Sequence, residues 1–436
     1  MNLFAGPNTV LILGDDDAGK GKVTDVIGGR ARIVVAGPGG TVKGRRIRKG
    51  DKKYRLKLLP TGIVRSRDIE CYLMAGIEID PSVLFSEIDY LKKKGRTVEG
   101  RLKISSKAQV VMPYHRKLDA LMFDKYKAGI DLGARKGTGA AASDKRLRIG
   151  IRVADLLDKE RFKEVLKEQL AYANERLVKL FKEKPFKFEE VYSLYNEYAR
   201  RLKPFVIDNL ELDLNKKITQ GVRVVFEGSQ GFSQDVSLGN YPYVCSSSTG
   251  ASGICTGAGV GPSRIGHTMA VVKSYATLPI AGPFPTHITD NKVTSVLKTA
   301  HDKNCKEHYK QRYGWIDLVQ TRQMITLNGV DSLAITKLDD LDDLDEIKIC
   351  YDYLIGEKHY DAMPTSITEA KKIKPHYITM PGWKKSTQSI TKFSELPENA
   401  RAFIKKIEVL TGTPISYVSV GPDRRQMIAM NDLLPL

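Results

Sequence analysis

Three carboxylates, three glycines and two lysines fall within nine residues at Gly14–Lys22 (GDDDAGKGK). Glycines let backbone N–H groups converge on an anion, and the start of a following helix adds its positive end. Lys20 and Lys22 would add charge. The spacing is not that of the common GxxxxGK[ST] loop, because the glycines stand too close and Val23 occupies the Ser/Thr position. The pattern alone therefore leaves two readings, a phosphate cradle or a tight strand-to-helix turn. Asp15 and Asp16, as like-charge neighbours, would raise the pKa of Asp17; the alternative is a solvated acidic loop.

Such a loop needs a sheet edge to hold it. Thr9 to Leu13 (TVLIL) and Ile33 to Ala36 are short apolar runs that read as buried parallel strands, as do Val222 to Phe226 and Ser332 to Thr336, each followed by a polar loop. Arg161 to Phe181 carries Phe162, Val165, Leu166, Leu170, Tyr172, Ala173, Leu177 and Leu180 at helical spacing, and Phe188 to Leu202 continues as a second amphipathic helix. The expected architecture is α/β: a large, central, mostly parallel sheet flanked by helices, with ligands along its carboxyl edge. One unit spans 1–436, with a helical insertion at 155–205 and small subdomains.

The net charge is +19, from 70 Lys+Arg against 51 Asp+Glu, and is spread along the chain. One concentration, 43–57 (KGRRIRKGDKKYRLK), alternates cations with Ile47, Tyr54 and Leu56, which predicts an exposed β-hairpin turning at Lys49-Gly50-Asp51. It is either a solvated face or a contact for a polyanion, which keeps nucleic acid as a secondary candidate partner. The five cysteines are scattered without a CxxC pair, which argues against a disulfide framework or zinc cluster and fits a reducing cytoplasm. No run of about 18 apolar residues is present, which excludes a helical membrane span, and Met1 to Leu13 has no signal-peptide pattern.

Asp17 to Lys22 resembles the DEGKGK part of the WGDEGKGK loop of adenylosuccinate synthetases. Leu59 to Ile63 (LPTGI) is similar to that family's IPSGI segment, Phe226 to Gly231 (FEGSQG) to FEGAQG, and Tyr241 to Ser247 (YPYVCSS) to YPYVTSS. Further ordered matches are Ala281 to Thr286 (AGPFPT), Gly314 to Asp317 (GWID), Thr336 to Asp339 (TKLD), Met380 to Trp383 (MPGW) and Gly421 to Arg424 (GPDR). The resemblance covers nearly the whole chain. It implies a ligase that joins IMP to aspartate with GTP hydrolysis, through phosphorylation of the purine 6-oxygen and displacement by the amine.

The resemblance also implies roles. Asp17 would be base and metal ligand, and Lys20 would act on the phosphates. GTP would be bound by Asp16, Asp17, Gly19, Lys20, Gly21, Lys22, the guanine-reading Lys337, Leu338 and Asp339, and Ser419, Val420 and Gly421. Gln230 and Cys245 would bind the purine monophosphate, with Arg148 reaching its 5′-phosphate from the neighbouring subunit of a homodimer. Mg²⁺ would sit on Asp17 and Gly39, and the amino acid on Lys310 and Arg312.

Three places depart from the family pattern. The GGHNAGHT loop aligns with residues 36–41, which puts Gly40 where a catalytic histidine stands; His301 or His308 would have to replace it. The arginine-rich amino-acid loop aligns with residues 306–312, where only Lys310 and Arg312 keep cationic character, so aspartate is expected to bind weakly. Ala18 replaces a glutamate. Two further functions therefore stay open: a ligase of the same logic with another amine or purine, similar to 2-aminoadenylosuccinate synthetases, or a nucleotide-binding protein without ligase activity.

Overall fold

The computed structural model describes residues 8–41, 44–65, 68–126, 135–278, 281–304 and 311–430. Its centre is a ten-stranded sheet in the order Met427–Ala429, Ile415–Ser419, Ser332–Thr336, His267–Lys273, Thr9–Gly14, Val224–Glu227, Ile33–Ala36, Glu70–Leu73, Leu102–Ser105, Val206–Ile207. Every pairing is parallel except that of the edge strand Met427–Ala429. The expected large, mostly parallel sheet is thus present. Thr9–Gly14 lies in the middle, and its alternate residues enter different cores: Leu11 and Leu13 pack in one cluster, Val10 and Ile12 in another. That is why the run reads as continuously apolar.

Gly14 ends this strand where no side chain fits. A Cβ there would lie 2.1 Å from the Val271 carbonyl oxygen, which also accepts from the Asp15 N–H at 2.9 Å. The chain therefore leaves the sheet tight against its neighbour, and the helix Lys20–Gly28 follows, buried along its length. The acidic and basic residues between them stand at the carboxyl edge of the sheet, where such folds bind ligands.

The helical insertion contains Val153–Leu157, Lys159–Phe181 and Phe188–Leu202. Asp158 caps the long helix by accepting from the Arg161 N–H at 3.0 Å, and Asn174 clasps both backbone groups of Phe186 at 2.8 Å. Phe162, Val165, Leu166, Leu170, Ala173 and Leu177 face the core as their spacing predicts. Tyr172 and Leu180, from the same apolar set, are 41% and 56% exposed, because they fall outside the buried stripe.

The basic segment is the hairpin Arg45–Lys49 and Lys52–Leu56, with Lys49 paired to Lys52, so the turn is Gly50–Asp51 rather than three residues. It is not simply solvated. Ile47, Tyr54 and Leu56 are buried, and Glu87 accepts from the backbone N–H groups of Lys57, Leu58 and Leu59 at 2.8, 3.0 and 3.3 Å. Burial pushes the Glu87 carboxyl up to about 7, against those same donors. Glu87→Ala would leave the buried N–H groups of Leu58 and Leu59 and the part-buried one of Lys57 without an acceptor, and should cost about 2–4 kcal/mol. Chemical denaturation should show that loss, and hydrogen exchange should show faster amides at 57–59.

Candidate active site

One cleft gathers motifs that are distant in sequence. Counted to its open mouth it measures about 1160 Å³, and it is lined by residues 16–22, 44–46, 227–230, His301, Thr336, Lys337, Asp339, Asp340, Ser419, Gly421 and Pro422. Thr336 ties two walls together, its hydroxyl donating to the Ala18 carbonyl at 2.7 Å. Three cleft residues have left-handed backbone although they are not glycine: Asp17 (φ 51°), Gln230 (φ 49°) and Lys337 (φ 60°). Such strain gathers at functional sites, held by surrounding structure. It has no signature in composition or periodicity.

Asp17 is half-buried, with its Oδ2 3.5 Å from Lys337 Nζ and 3.8 Å from His301 Nε2. Burial alone would raise its pKa, but Lys337, Lys273, His301 and Arg46 outweigh that and hold the carboxyl well below the usual range. This corrects the expectation from its acidic neighbours, because cations outnumber acids around it. Asp15 is the raised one, to about 6, by burial against the opposing charges of Lys273 and Lys20. His301 is buried, and desolvation followed by Lys337 brings its pKa down to about 4, so the imidazole is neutral at pH 7.

Lys20 donates to the Asp15 carbonyl and closes the loop on itself. Lys22 lines the cleft and is also a structural tie. Its Nζ donates to Ser419 Oγ, Gly421 O and Gln426 O at 2.7, 2.5 and 2.7 Å, and burial brings its pKa down to about 7. Lys22 therefore bolts the turn after the strand Ile415–Ser419 to the helix that begins at the glycine loop.

Asp339 faces the cleft with its carboxyl raised to about 7 by burial and then by Asp340, and Gln388 donates to it at 3.2 Å. Leu338 and Val420 are fully buried in the core, so only their backbone is available to a ligand. The MPGW motif works behind this wall: Trp383 Nε1 and the Thr387 N–H and hydroxyl all donate to Asp342, at 2.8, 2.8 and 2.9 Å. Asp317 of GWID is a helix cap, accepting from Val319 and Gln320 at 3.2 Å. That motif is structural.

The residues brought to the phosphate loop from the second strand region are Gly44, Arg45 and Arg46, which line the cleft. Gly39 and Gly40 are not among the residues that line it, although Gly39 lies beside Gln230, which does. The Gly39 carbonyl accepts from the Glu78 N–H at 3.3 Å, and a Cβ on Gly40 would lie 2.5 Å from Thr138 Oγ1, so no histidine fits there. The segment 37–44 holds four glycines (Gly37, Gly39, Gly40, Gly44), so its register against a motif is not fixed by sequence. Arg45 is locked: Nε lies 2.9 Å from Glu227 Oε1, Nη1 donates to Lys57 O at 2.9 Å and Nη2 to Ser229 Oγ at 3.1 Å. Glu227 also accepts from the Thr61 N–H at 2.9 Å, so LPTGI, FEGSQG and the hairpin meet at one buried ion pair.

Of the other expected residues, Gln230 lines the cleft and Cys245 does not; its thiol donates to Ser247 O at 3.4 Å. Arg148 is exposed at the end of the helix Thr138–Leu147, outside the cleft. Arg312 donates to Gly282 O at 3.0 Å and lies over the Phe284 ring. Lys310 and His308 lie outside the described residues. Among the described residues no group of three or more His, Cys, Asp or Glu is placed to hold a metal by itself. The hard carboxylate of Asp17, open to the cleft, suits Mg²⁺, which binds through one or two carboxylates with phosphate oxygens completing its shell.

The family model described as adenylosuccinate synthetase matches residues 12–428. Adenylosuccinate synthetases of Clostridium botulinum and Caldanaerobacter subterraneus are each 40% identical to this chain. The first aligns over 419 residues, 96% of this chain and 97% of its own length; the second over 418 residues, 95% and 97%. The fully ligated adenylosuccinate synthetase of Plasmodium falciparum superposes with a TM-score of 0.90 at 29% identity, covering 97% of this chain and 100% of that one. A cyanophage S-2L succinoaminodeoxyadenylate synthetase, bound to dGMP and dATP, superposes at 0.59 with 17% identity, covering 97% and 95%, and shares the fold.

Removing one partner of the Arg45–Glu227 pair leaves a buried charge, so Glu227→Ala should cost about 3–5 kcal/mol in urea denaturation. The double variant Glu227→Leu with Arg45→Leu should be less destabilised than Glu227→Ala.

Proposed function

Because the chain belongs to the adenylosuccinate synthetase family, we propose that this cleft carries out the family's reaction. The chain is a GTP-dependent ligase that forms a C–N bond in purine nucleotide biosynthesis, joining IMP and aspartate. The observation that supports the cleft as its centre is the meeting of the glycine–lysine loop, Gln230 and the Lys337–Asp339 segment around Asp17.

In this reading the triphosphate lies along the loop at the start of the helix Lys20–Gly28, where backbone N–H groups and the helix end favour anions. Guanine reaches Asp339, whose half-buried carboxyl accepts from N1–H and N2–H₂ and so selects GTP over ATP. IMP sits toward Gln230, with its 6-oxygen facing the γ-phosphorus. Asp17 takes the N1 proton as the 6-oxygen attacks; the bond from the γ-phosphorus to the β,γ-bridging oxygen breaks, and GDP leaves with the electron pair. The amine of aspartate then displaces phosphate from C6. Bound Mg²⁺, held by Asp17 and phosphate oxygens, would supply positive charge to the γ-phosphoryl group. The low pKa of Asp17 keeps it ionised at neutral pH.

Arg148, exposed and away from its own cleft, suits a composite site in a homodimer. The described cysteines, Cys71, Cys245, Cys255 and Cys350, are free thiols, which suits the cytoplasm.

With IMP, aspartate, GTP and Mg²⁺, the protein should form adenylosuccinate, GDP and phosphate in equal amounts, and ATP should not replace GTP. Product-free GTP hydrolysis would overturn the reading. Asp339→Asn exchanges an acceptor for a donor, so GTP binding should weaken by about 1–3 kcal/mol, while xanthosine triphosphate, with an acceptor at position 2, should bind better than to wild type. Calorimetry with the two nucleotides checks this. Arg148→Leu should weaken IMP binding and leave GTP binding unchanged. Mixing it with Asp17→Ala should restore part of the activity, because a hybrid dimer holds one intact site; heterodimers without recovery would exclude a shared site.

A further inference from the structure

His301 stands in the cleft on the helix Asn291–Asn304, far in sequence from the loop it faces. Its Nδ1 lies 3.4 Å from Lys337 Nζ. An ammonium has no lone pair, so Lys337 must donate, Nδ1 must accept, and the proton of the neutral imidazole sits on Nε2. Nε2 lies 3.8 Å from Asp17 Oδ2, on the side of the proton-accepting carboxylate but beyond hydrogen-bond reach. The Tyr313 ring meets the imidazole edge-on with centroids 6.1 Å apart and sets its plane. Lys337 thus fixes the tautomer, and packing fixes the direction of one N–H.

The nearby cations are engaged differently. Arg45 is tied to Glu227, Lys57 and Ser229, and Lys20 to Asp15. Lys273 is buried with its Nζ on the Thr277 hydroxyl. His301 is the neutral donor beside Asp17.

We propose that His301 is a catalytic residue of this ligase, its Nε2–H donating to an oxygen of the γ-phosphoryl group as that group passes from GTP to the purine 6-oxygen. This rests on the function proposed above. As the γ-phosphorus leaves the β,γ-bridging oxygen and bonds the 6-oxygen, negative charge shifts among oxygens within the cleft. A preorganised neutral donor stabilises that charge without having to lose its own proton. Asp17 receives the N1 proton in the same step. Lys337 then has two tasks: it covers the base-binding wall and aims His301.

The test compares wild type, His301→Ala and His301→Gln in single-turnover formation of GDP with saturating GTP, IMP, aspartate and Mg²⁺, beside the GTP dissociation constant from calorimetry. His301→Ala should slow the turnover about 100- to 1000-fold with GTP affinity within about threefold of wild type. His301→Gln, which restores an N–H at similar reach, should recover at least about tenfold over Ala. If His301→Ala does not fold, His301→Met, which fills the space without a donor, takes its place. A rate within about threefold of wild type for the variant without a donor would overturn the proposal, as would Gln no better than Ala or a loss that comes entirely from weaker GTP binding. A wild-type protein that forms no GDP under these conditions would overturn the ligase reading itself, and this proposal with it.

Discussion

The charge balance at Asp17 is the constraint on which the site depends. A half-buried carboxylate is stable in its ionised form only if positive charge compensates for lost hydration. Here Lys337, Lys273 and Arg46 provide that positive charge and the neutral His301 faces the same carboxylate, all four from separate parts of the chain. Each is delivered by a different structural device: the left-handed residue after the strand Ser332–Thr336, the parallel neighbour of the first strand, the helix Asn291–Asn304, and the basic hairpin. The sheet order, with Thr9–Gly14 between later strands, makes that convergence possible.

Around that point the walls are bolted together by buried polar pairs. Lys22 joins the helix of the glycine loop to the turn at 419–426, the Thr336 hydroxyl joins the guanine-side segment to Ala18, and Glu227 joins Arg45 to Thr61. These contacts are short, and each leaves a buried group unsatisfied if one side is removed, which makes the cleft rigid before any ligand enters. Rigidity suits a phosphoryl transfer, where the protein mainly positions groups and supplies fixed charge.

Much of this was legible in the sequence. The buried strands at 9–13, 33–36 and 332–336 and the insertion helices followed from apolar patterning, since burial on both faces or on one stripe leaves a direct trace. Asp17, Lys20, Gln230, Lys337 and Asp339 were recognisable from motifs and do share one cleft. Three things were not. The acidic neighbours of Asp17 suggested a raised pKa, because cations distant in sequence are invisible to local reading. The glycine-rich run at 37–44 carried no sign that Gly39 would bond to Glu78 and Gly40 pack against Thr138. Lys22 lines the cleft, but its tie to Ser419 and Gly421 left no trace, because charge is visible in a sequence and the direction of a side chain is not.

The central claim is that GTP and a purine monophosphate meet at Asp17. A crystal structure of the protein with GTP or a slowly hydrolysed analogue, IMP and Mg²⁺ tests it most directly. The account predicts the terminal phosphate over residues 16–22 and the purine against Gln230. The Asp17 carboxylate would lie within hydrogen-bond reach of N1, and the 6-oxygen would face the γ-phosphorus. A purine nucleotide bound elsewhere, or an Asp17 carboxylate turned away from both ligands, would contradict it.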